Sequence, residues 1–268
     1  MTIRTSLAEL HSHFNPDAND LPVIALRLEV EQNTTELPVH QHRKGQLVVA
    51  RHGAVTCKVP RALWLVPPQH AVWIPGGMPH SNLSTHNARI SYLFVEPDVI
   101  PMPEECCTLA LTPLVRELIE YAADQEQGYP KQGIVARTMA VLLEHLSDAP
   151  VAELHLPVSE HPKIAFIADS LTRNPADRTT LEQWASATAM SNRTLARLIK
   201  SETGLTFGRW RQQIHLLIAL RQLSSGASVQ QVAGELGYDT SAAFTLMFRK
   251  ALGKPPTQYF ADLYQEKR

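Results

Sequence analysis

LEQWASATAMSNRTLARLIKSETGLTFGRW, residues 181–210, and VQQVAGELGYDTSAAFTLMFRKALGKPPTQY, residues 229–259, are one pattern written twice. Before the central turn the two copies are offset by 48 positions: Leu181 matches Val229, Trp184 matches Val232 and Ala185 matches Ala233. After it the offset is 49: Ser191 matches Thr240, Leu195 matches Phe244, Gly204 matches Gly253 and Trp210 matches Tyr259. The second copy therefore carries one extra turn residue. Each copy scans as helix, short turn, helix. Ala185 and Ala233 are small where two helices would cross, Ser191 and Thr240 are N-cap types, and Gly204 and Gly253 stand where the second helix must stop.

This is the grammar of a helix-turn-helix, whose second helix lies in a DNA major groove. In the first copy Leu195, Leu198 and Ile199 have core spacing, while Arg193, Ala196, Arg197 and Lys200 fall on the opposite face. Ser191, Asn192 and Thr194 stand at the helix start. In the second copy Phe244, Met247 and Phe248 are the core positions. Thr240, Ser241, Ala242, Thr245, Arg249 and Lys250 are the candidate DNA contacts there. Arginine can read guanine edges bidentately and lysine can meet phosphates. The alternative is two solvated faces of an ordinary helical bundle, and the in-register repetition favours DNA.

These residues resemble the AraC/XylS family of transcription regulators over about the last 105 residues. The tail carrying Gly237, Tyr238, Phe244, Phe248, Gly253, Pro255, Pro256 and Tyr259 is the most specific part, with MSNRTLARLIKSETGLTF beside it. The resemblance implies a double-stranded DNA operator as partner. The family usually carries Arg where this chain has Leu246, which shifts base reading toward the first helix.

Charge divides the chain. Residues 159–268 hold 14 Lys/Arg against 9 Asp/Glu, a net of +5, and residues 1–158 hold 11 against 17, a net of −6. A basic C-terminal domain beside an acidic N-terminal one suits a DNA reader joined to something that does not touch DNA. The three cysteines, Cys57, Cys106 and Cys107, imply no disulfide framework. With no signal-like or membrane-length apolar run, a cytoplasmic protein without membrane contact is expected.

The organisation expected is multi-domain α and β: a polar, loose tail over 1–20, a sensor and dimerisation domain over 21–147, a linker over 148–160, and an all-α domain with two helix-turn-helix motifs over 161–268. Short Val-, Ile- and Leu-rich runs (VIALRLEV, QLVVA, AVTCKV, ALWLV, AVWIP, ISYLFV) predict a small antiparallel barrel or jelly roll. Two amphipathic helices follow, over 113–123 and 132–146. They either cover the barrel or build a homodimer interface. The resemblance favours the dimer. Between the motif copies, Thr206–Leu223 reads as one continuous helix.

The strand region is also similar to the cupin superfamily, through His40-x-His42-x3-Gln46-x6-Gly53 and Pro75-x-Gly77-x2-His80. His40 and His42 are two apart, so on a strand both would face the barrel interior, opposite His80. Three imidazoles there are a candidate divalent-metal site. Gln46 stands where the superfamily places Glu, so no cofactor is required and any metal is expected to be weakly bound. The competing reading is a metal-free pocket for a small-molecule effector, built from His40, His42, Gln46, Trp64, His70, Trp73 and His80. A third reading makes the histidines buried, hydrogen-bonded core residues, with the PPQ-A-W-IP-G-PH pattern from Pro67 to His80 partly scaffold.

Two functions compete. The first is a ligand-responsive transcription regulator, activator or repressor, which by analogy with cupin-fused relatives controls a neighbouring transporter or catabolic gene. The alternative is a metal-dependent cupin enzyme with a DNA-binding tail. The missing acidic ligand, the doubled motif and the lack of any Ser/His/Asp arrangement, phosphate loop or CxxC favour the regulator, with no catalytic residues.

Overall fold

The structure, a computed structural model, describes residues 2–30, 36–60, 62–66, 70–85, 88–126, 128–152, 156–157 and 159–264. Pro67 to Gln69, the start of the proline-rich pattern, lie outside the described residues, as do 153–155 and 158 of the expected linker. The chain divides into two compact units, residues 1–60 with 64–154, and residues 61–63 with 155–268. Among the described residues no helix is long and apolar enough to cross a membrane.

The first unit opens with β1 (Thr2–Thr5) and α1 (Leu7–His13), then β2 (Val23–Val30), β3 (Gly45–His52), β4 (Val55–Val59), β5 (Ala62–Leu65, whose first two residues belong to the second unit), β6 (His70–Ile74), β7 (Ser81–Ser84), β8 (Arg89–Val95) and β9 (Cys107–Ala110). The helices α2 (Pro113–Asp124) and α3 (Ile134–Ser147) and the short β10 (Val151–Ala152) complete it. One sheet runs β1-β2-β8-β3-β6-β9-β10, and a second contains β5-β4-β7. The expected barrel is therefore two separate sheets, not a ring closed by strand pairing. The central strands are nearly continuous apolar runs because both of their faces are covered; β8 is buried from Ile90 to Val95.

The expected loose tail over 1–20 is folded. β1 pairs in parallel with β2. Ser6 caps α1 by accepting the Glu9 N–H. Asp17 then accepts the backbone N–H groups of Arg43 and Lys44 at 2.7 and 3.1 Å. Lys44 is fully buried and donates its ammonium to Asn19 and the Leu21 carbonyl. Burial lowers its pKa. These polar ties, invisible to an apolar-periodicity scan, hold the segment down.

α2 begins at Pro113 behind a Thr112 cap and buries Val115, Ile119, Ala122 and Ala123. Arg27 of β2 reaches Glu120 and Asp124 at 2.6 Å, and Ser91 donates to Glu120 at 2.7 Å, which fixes the helix on the sheet. α3 starts at Ile134, two residues later than expected, because Gly133 with φ 104 holds a conformation no helix continues. Leu114, Tyr121, Ile134 and Val141 remain exposed.

The second unit contains β11 (Leu156–Pro157), α4 (Pro162–Arg173), α5 (Leu181–Ala187), α6 (Asn192–Thr203), α7 (Phe207–Ser224), α8 (Val229–Glu235), α9 (Ser241–Leu252) and α10 (Pro256–Tyr264). Over its described residues the expected irregular linker pairs instead. Val151 and Ala152 lie against Leu109 and Thr108, and Leu156 and Pro157 against Leu63 and Ala62. Leu156 is buried with Ile164, Ile167, Leu171, Trp184, Leu195, Ile199, Trp210 and Ile214. The second motif copy has its own aromatic core, a chain from Tyr238 through Phe244, Phe248 and Tyr259 to Phe260 with ring centroids 5.4–5.9 Å apart. The 18-residue α7 spans ~27 Å and contacts α6, α8 and α9.

Candidate functional site

The second helices of the two motifs, α6 and α9, are built the same way. Ser191 accepts the Thr194 N–H at 3.1 Å, and Thr240 accepts the Ala243 N–H at 3.1 Å. The hydroxyls of Ser191 and Thr194 also bond each other at 2.7 Å. These three side chains, expected as DNA contacts, are thus engaged at the helix starts. Gly204 and Gly253 end the helices in the left-handed conformation with φ 72 and 79, which a side chain would strain.

α6 buries Leu195, Ile199 and Thr203 and exposes Asn192, Arg193, Arg197 and Lys200. α9 buries Phe244 and Phe248 and exposes Ala242, Leu246, Arg249 and Lys250, with Ser241 and Thr245 half-buried. The ion pairs described in this unit tie Arg173 to Asp169 and Arg178 to Asp239. Among the described residues none engages Arg193, Arg197, Lys200, Arg249 or Lys250. Their charges face solvent without an acid to cancel them, which suits a polyanion.

The first unit holds a cavity of about 290 Å³ lined by Leu7, Leu10, His11, Phe14, Asn15, Pro16, Asp17, Leu37, His40, Gln41, His42, Gln46, Asn82, Tyr92 and Phe94. Strand register explains which side chains meet there. Gln46 pairs with Phe94, and Val48 with Tyr92, so all four share one face of the sheet. Phe14 lies across Phe94 at 5.3 Å, closing the far wall from the end of α1.

The three predicted histidines do converge, with one potential ligand atom of each within 4.8 Å of the others. They are not on a strand as expected. His40 and His80 form a single antiparallel bridge, and His42 lies in the turn before β3. Gly77, at φ 75, donates its N–H to the His42 carbonyl at 2.8 Å, tying the His80 turn to the His42 turn. Each imidazole commits Nδ1 to a main-chain carbonyl: His40 to Pro38 at 2.9 Å, His42 to Lys44 at 2.6 Å and His80 to Met78 at 2.9 Å. As Nδ1–H donors they leave their Nε2 lone pairs free. The Gln46 amide meets Nε2 of His42 at 2.9 Å and of His80 at 3.3 Å. Its amino group is the end that can donate to both lone pairs.

Burial dominates the protonation of His40 and His80. It lowers the His40 pKa and pushes His80 down to about 4. Unfolded imidazoles protonate near 6.5. Between those values the unfolded chain therefore binds more protons, and the first unit must lose stability as pH falls from about 6.5 toward 4. Urea midpoints followed by tryptophan fluorescence should drop over that interval; an unchanged midpoint would contradict neutral buried histidines. Asp17 is the opposite case. Burial would raise its pKa, but the N–H donors of Arg43 and Lys44 outweigh that and hold it low.

Trp64 and Trp73 are not part of the cavity wall. Trp73 pairs with Leu47, and therefore lies on the opposite face of the sheet from Gln46. Its ring fills the space over Gly45, where an added Cβ would lie 2.0 Å from it, and its indole donates to the Pro103 carbonyl at 2.9 Å. Trp64 is buried outside the lining. In their place stand His11, Phe14, Leu37, Tyr92 and Phe94, which no motif marks. Among the described residues Asn82 Oδ1 and the Tyr92 hydroxyl are buried without hydrogen-bond partners, and both residues line the cavity.

The sequence model of a helix-turn-helix domain family matches residues 184–262. The chain is 48% identical over 250 residues to the HTH-type transcriptional regulator NimR of Escherichia coli strain K12, covering 93% of this chain and 92% of that one. It is 32% identical over 151 residues to a putative AraC-like transcription regulator of Streptomyces lividans, covering 48% of each. Among solved structures it is similar to the DNA-binding domain of AdpA in complex with a target DNA: 30% identity, TM-score 0.36, covering 38% of this chain and 94% of that one.

Proposed function

Since the chain belongs to the AraC family of helix-turn-helix transcriptional regulators, we propose that it is a sequence-specific operator binder whose first unit senses a small molecule. The observation that carries the DNA half is the pair of reading helices with uncancelled basic faces, held by α7. The sensing half rests on the cavity and its two buried, unpartnered polar atoms. A buried polar group without a partner costs of order 1–3 kcal/mol, which an effector's own hydrogen bonds would recover. Such an effector combines a donor for Asn82, an acceptor for the Tyr92 hydroxyl, and an apolar face for Phe14 and Phe94.

The exposed residues Leu114, Tyr121, Ile134 and Val141 on α2 and α3 support a homodimer through these helices. A dimer carries four reading helices, and effector binding changes how they meet two half-sites. Mapping of bound chromosomal sites, with expression measured in a deletion strain, tests this. A small set of sites sharing one motif, beside genes whose expression changes, is expected. Uniform chromosomal occupancy would refute it.

A divalent metal fits the imidazole tripod, since each Nδ1 is tied to a carbonyl as a second shell requires. Among the described residues no carboxylate joins the three rings. The ion's charge is then uncompensated at a buried site, which costs several kcal/mol against a site with an acid. Protein purified without chelator should therefore hold substoichiometric metal that dialysis removes without unfolding. Gln46→Glu should tighten binding. One tightly held metal per chain, with unfolding on chelation, would contradict this.

A further inference from the structure

We propose that Leu246 makes α9 a reader of thymine methyl groups, so that each bound site is chemically two-part: a guanine-bearing box under α6 and a thymine-bearing box under α9. This rests on the operator-binding reading above and goes beyond it by naming what the second helix recognises.

The repeat offset of 49 places Leu246 at the position Arg197 holds in the first copy, each six residues after its N-cap. At about 100° per residue, both lie opposite the buried face of their helix. Leu195 and Ile199 are fully buried behind Arg197, and Phe244 and Phe248 behind Leu246. The two heads therefore present different chemistry at the same point, a guanidinium in one and an isobutyl group in the other. Leu246 is 45% exposed, an unusual place for a leucine on a helix that buries Phe244 and Phe248 in the core. Its neighbours on that face, Ala242 and Ala243, are short and exposed, so the leucine projects beyond them. Arg249 and Lys250 flank it without acidic partners among the described residues, placing cations where phosphates would border a groove.

In the major groove the thymine C5-methyl is the apolar feature, and apolar side chains read it by contact. The hydroxyl nearest the start of α9, on Thr240, already accepts the Ala243 N–H. Along the centre of the face no side chain offers a bidentate hydrogen bond. Apolar contact is the readout that this surface can make. The charged flanks favour DNA over an apolar protein groove as the occupant.

The test uses the full-length protein and a duplex selected on it from a random-sequence library. Each thymine of that duplex is replaced in turn by deoxyuridine, which removes one methyl and leaves the base pair intact. Thymines in one box are expected to lose about fourfold in affinity per methyl, the worth of one buried CH₂-sized group. Leu246→Ala, at an exposed position, should abolish that sensitivity, while Arg197→Ala keeps it. Leu246→Arg should select guanine in the same box. A selected duplex that tolerates uracil everywhere would overturn the inference while leaving operator binding standing. So would uracil tolerance combined with loss of transcriptional control in Leu246→Ala, which would assign this face to a protein partner. Binding of all duplexes alike would refute the operator reading itself and this inference with it.

Discussion

Arg197→Ala is expected to lower affinity for the specific site by roughly 5- to 150-fold, the equivalent of ~1–3 kcal/mol for a lost bidentate base contact. Arg197 stands at the centre of the α6 face, opposite Leu195 and Ile199, and no acid engages it among the described residues. Its removal leaves the core and the Ser191 cap intact, so folding is untouched. Affinity for random DNA should fall far less, because that term comes from phosphates and is shared with Arg193 and Lys200. Fluorescence anisotropy on specific and random duplexes at one salt concentration separates the cases. Equal losses would mean that Arg197 meets only phosphate. No loss on either would mean that the reading face is misassigned.

Phe248→Ala is expected to cost ~3–5 kcal/mol, the usual range for truncating a fully buried phenylalanine. Phe248 is fully buried between Phe244 at 5.9 Å and Tyr259 at 5.6 Å, in the middle of the aromatic chain that forms the second motif's core. The first motif packs around Trp184, Leu195, Ile199 and Trp210 instead, and should survive. Thermal unfolding of the full chain should therefore show an early transition absent from the wild type. A single transition at the wild-type temperature would contradict an independent second core.

The second unit was largely legible in the sequence because its signals are local. N-caps, C-terminal glycines and 3.6-residue spacing lie within each helix, and the duplication repeats them in register. The first unit was less legible because its cavity depends on pairing between distant strands. Whether Trp73 shares a face with Gln46 is decided by register: Trp73 pairs with Leu47 and Gln46 with Ile74. ISYLFV is buried on both faces, so alternation could not single out Tyr92 and Phe94. β7 escaped notice because Ser81, Asn82 and Ser84 are polar yet buried. The wall formed by α1 was missed because only Leu7 of that helix is buried, and polar contacts such as Asp17 to the Arg43 and Lys44 N–H groups hold the segment that follows it. The histidine convergence was readable from spacing, but its origin in a turn and a single bridge was not.

Hydroxyl-radical footprinting of the full-length protein on its strongest chromosomal site tests the central claim most directly. Two reading helices joined by the ~27 Å α7 should protect two patches on one face of the duplex, about one turn (~34 Å) apart, per bound DNA-binding unit. Arg197→Ala should weaken the first patch, and Leu246→Ala the second. A single continuous patch, or protection no different from that on random DNA, would contradict it.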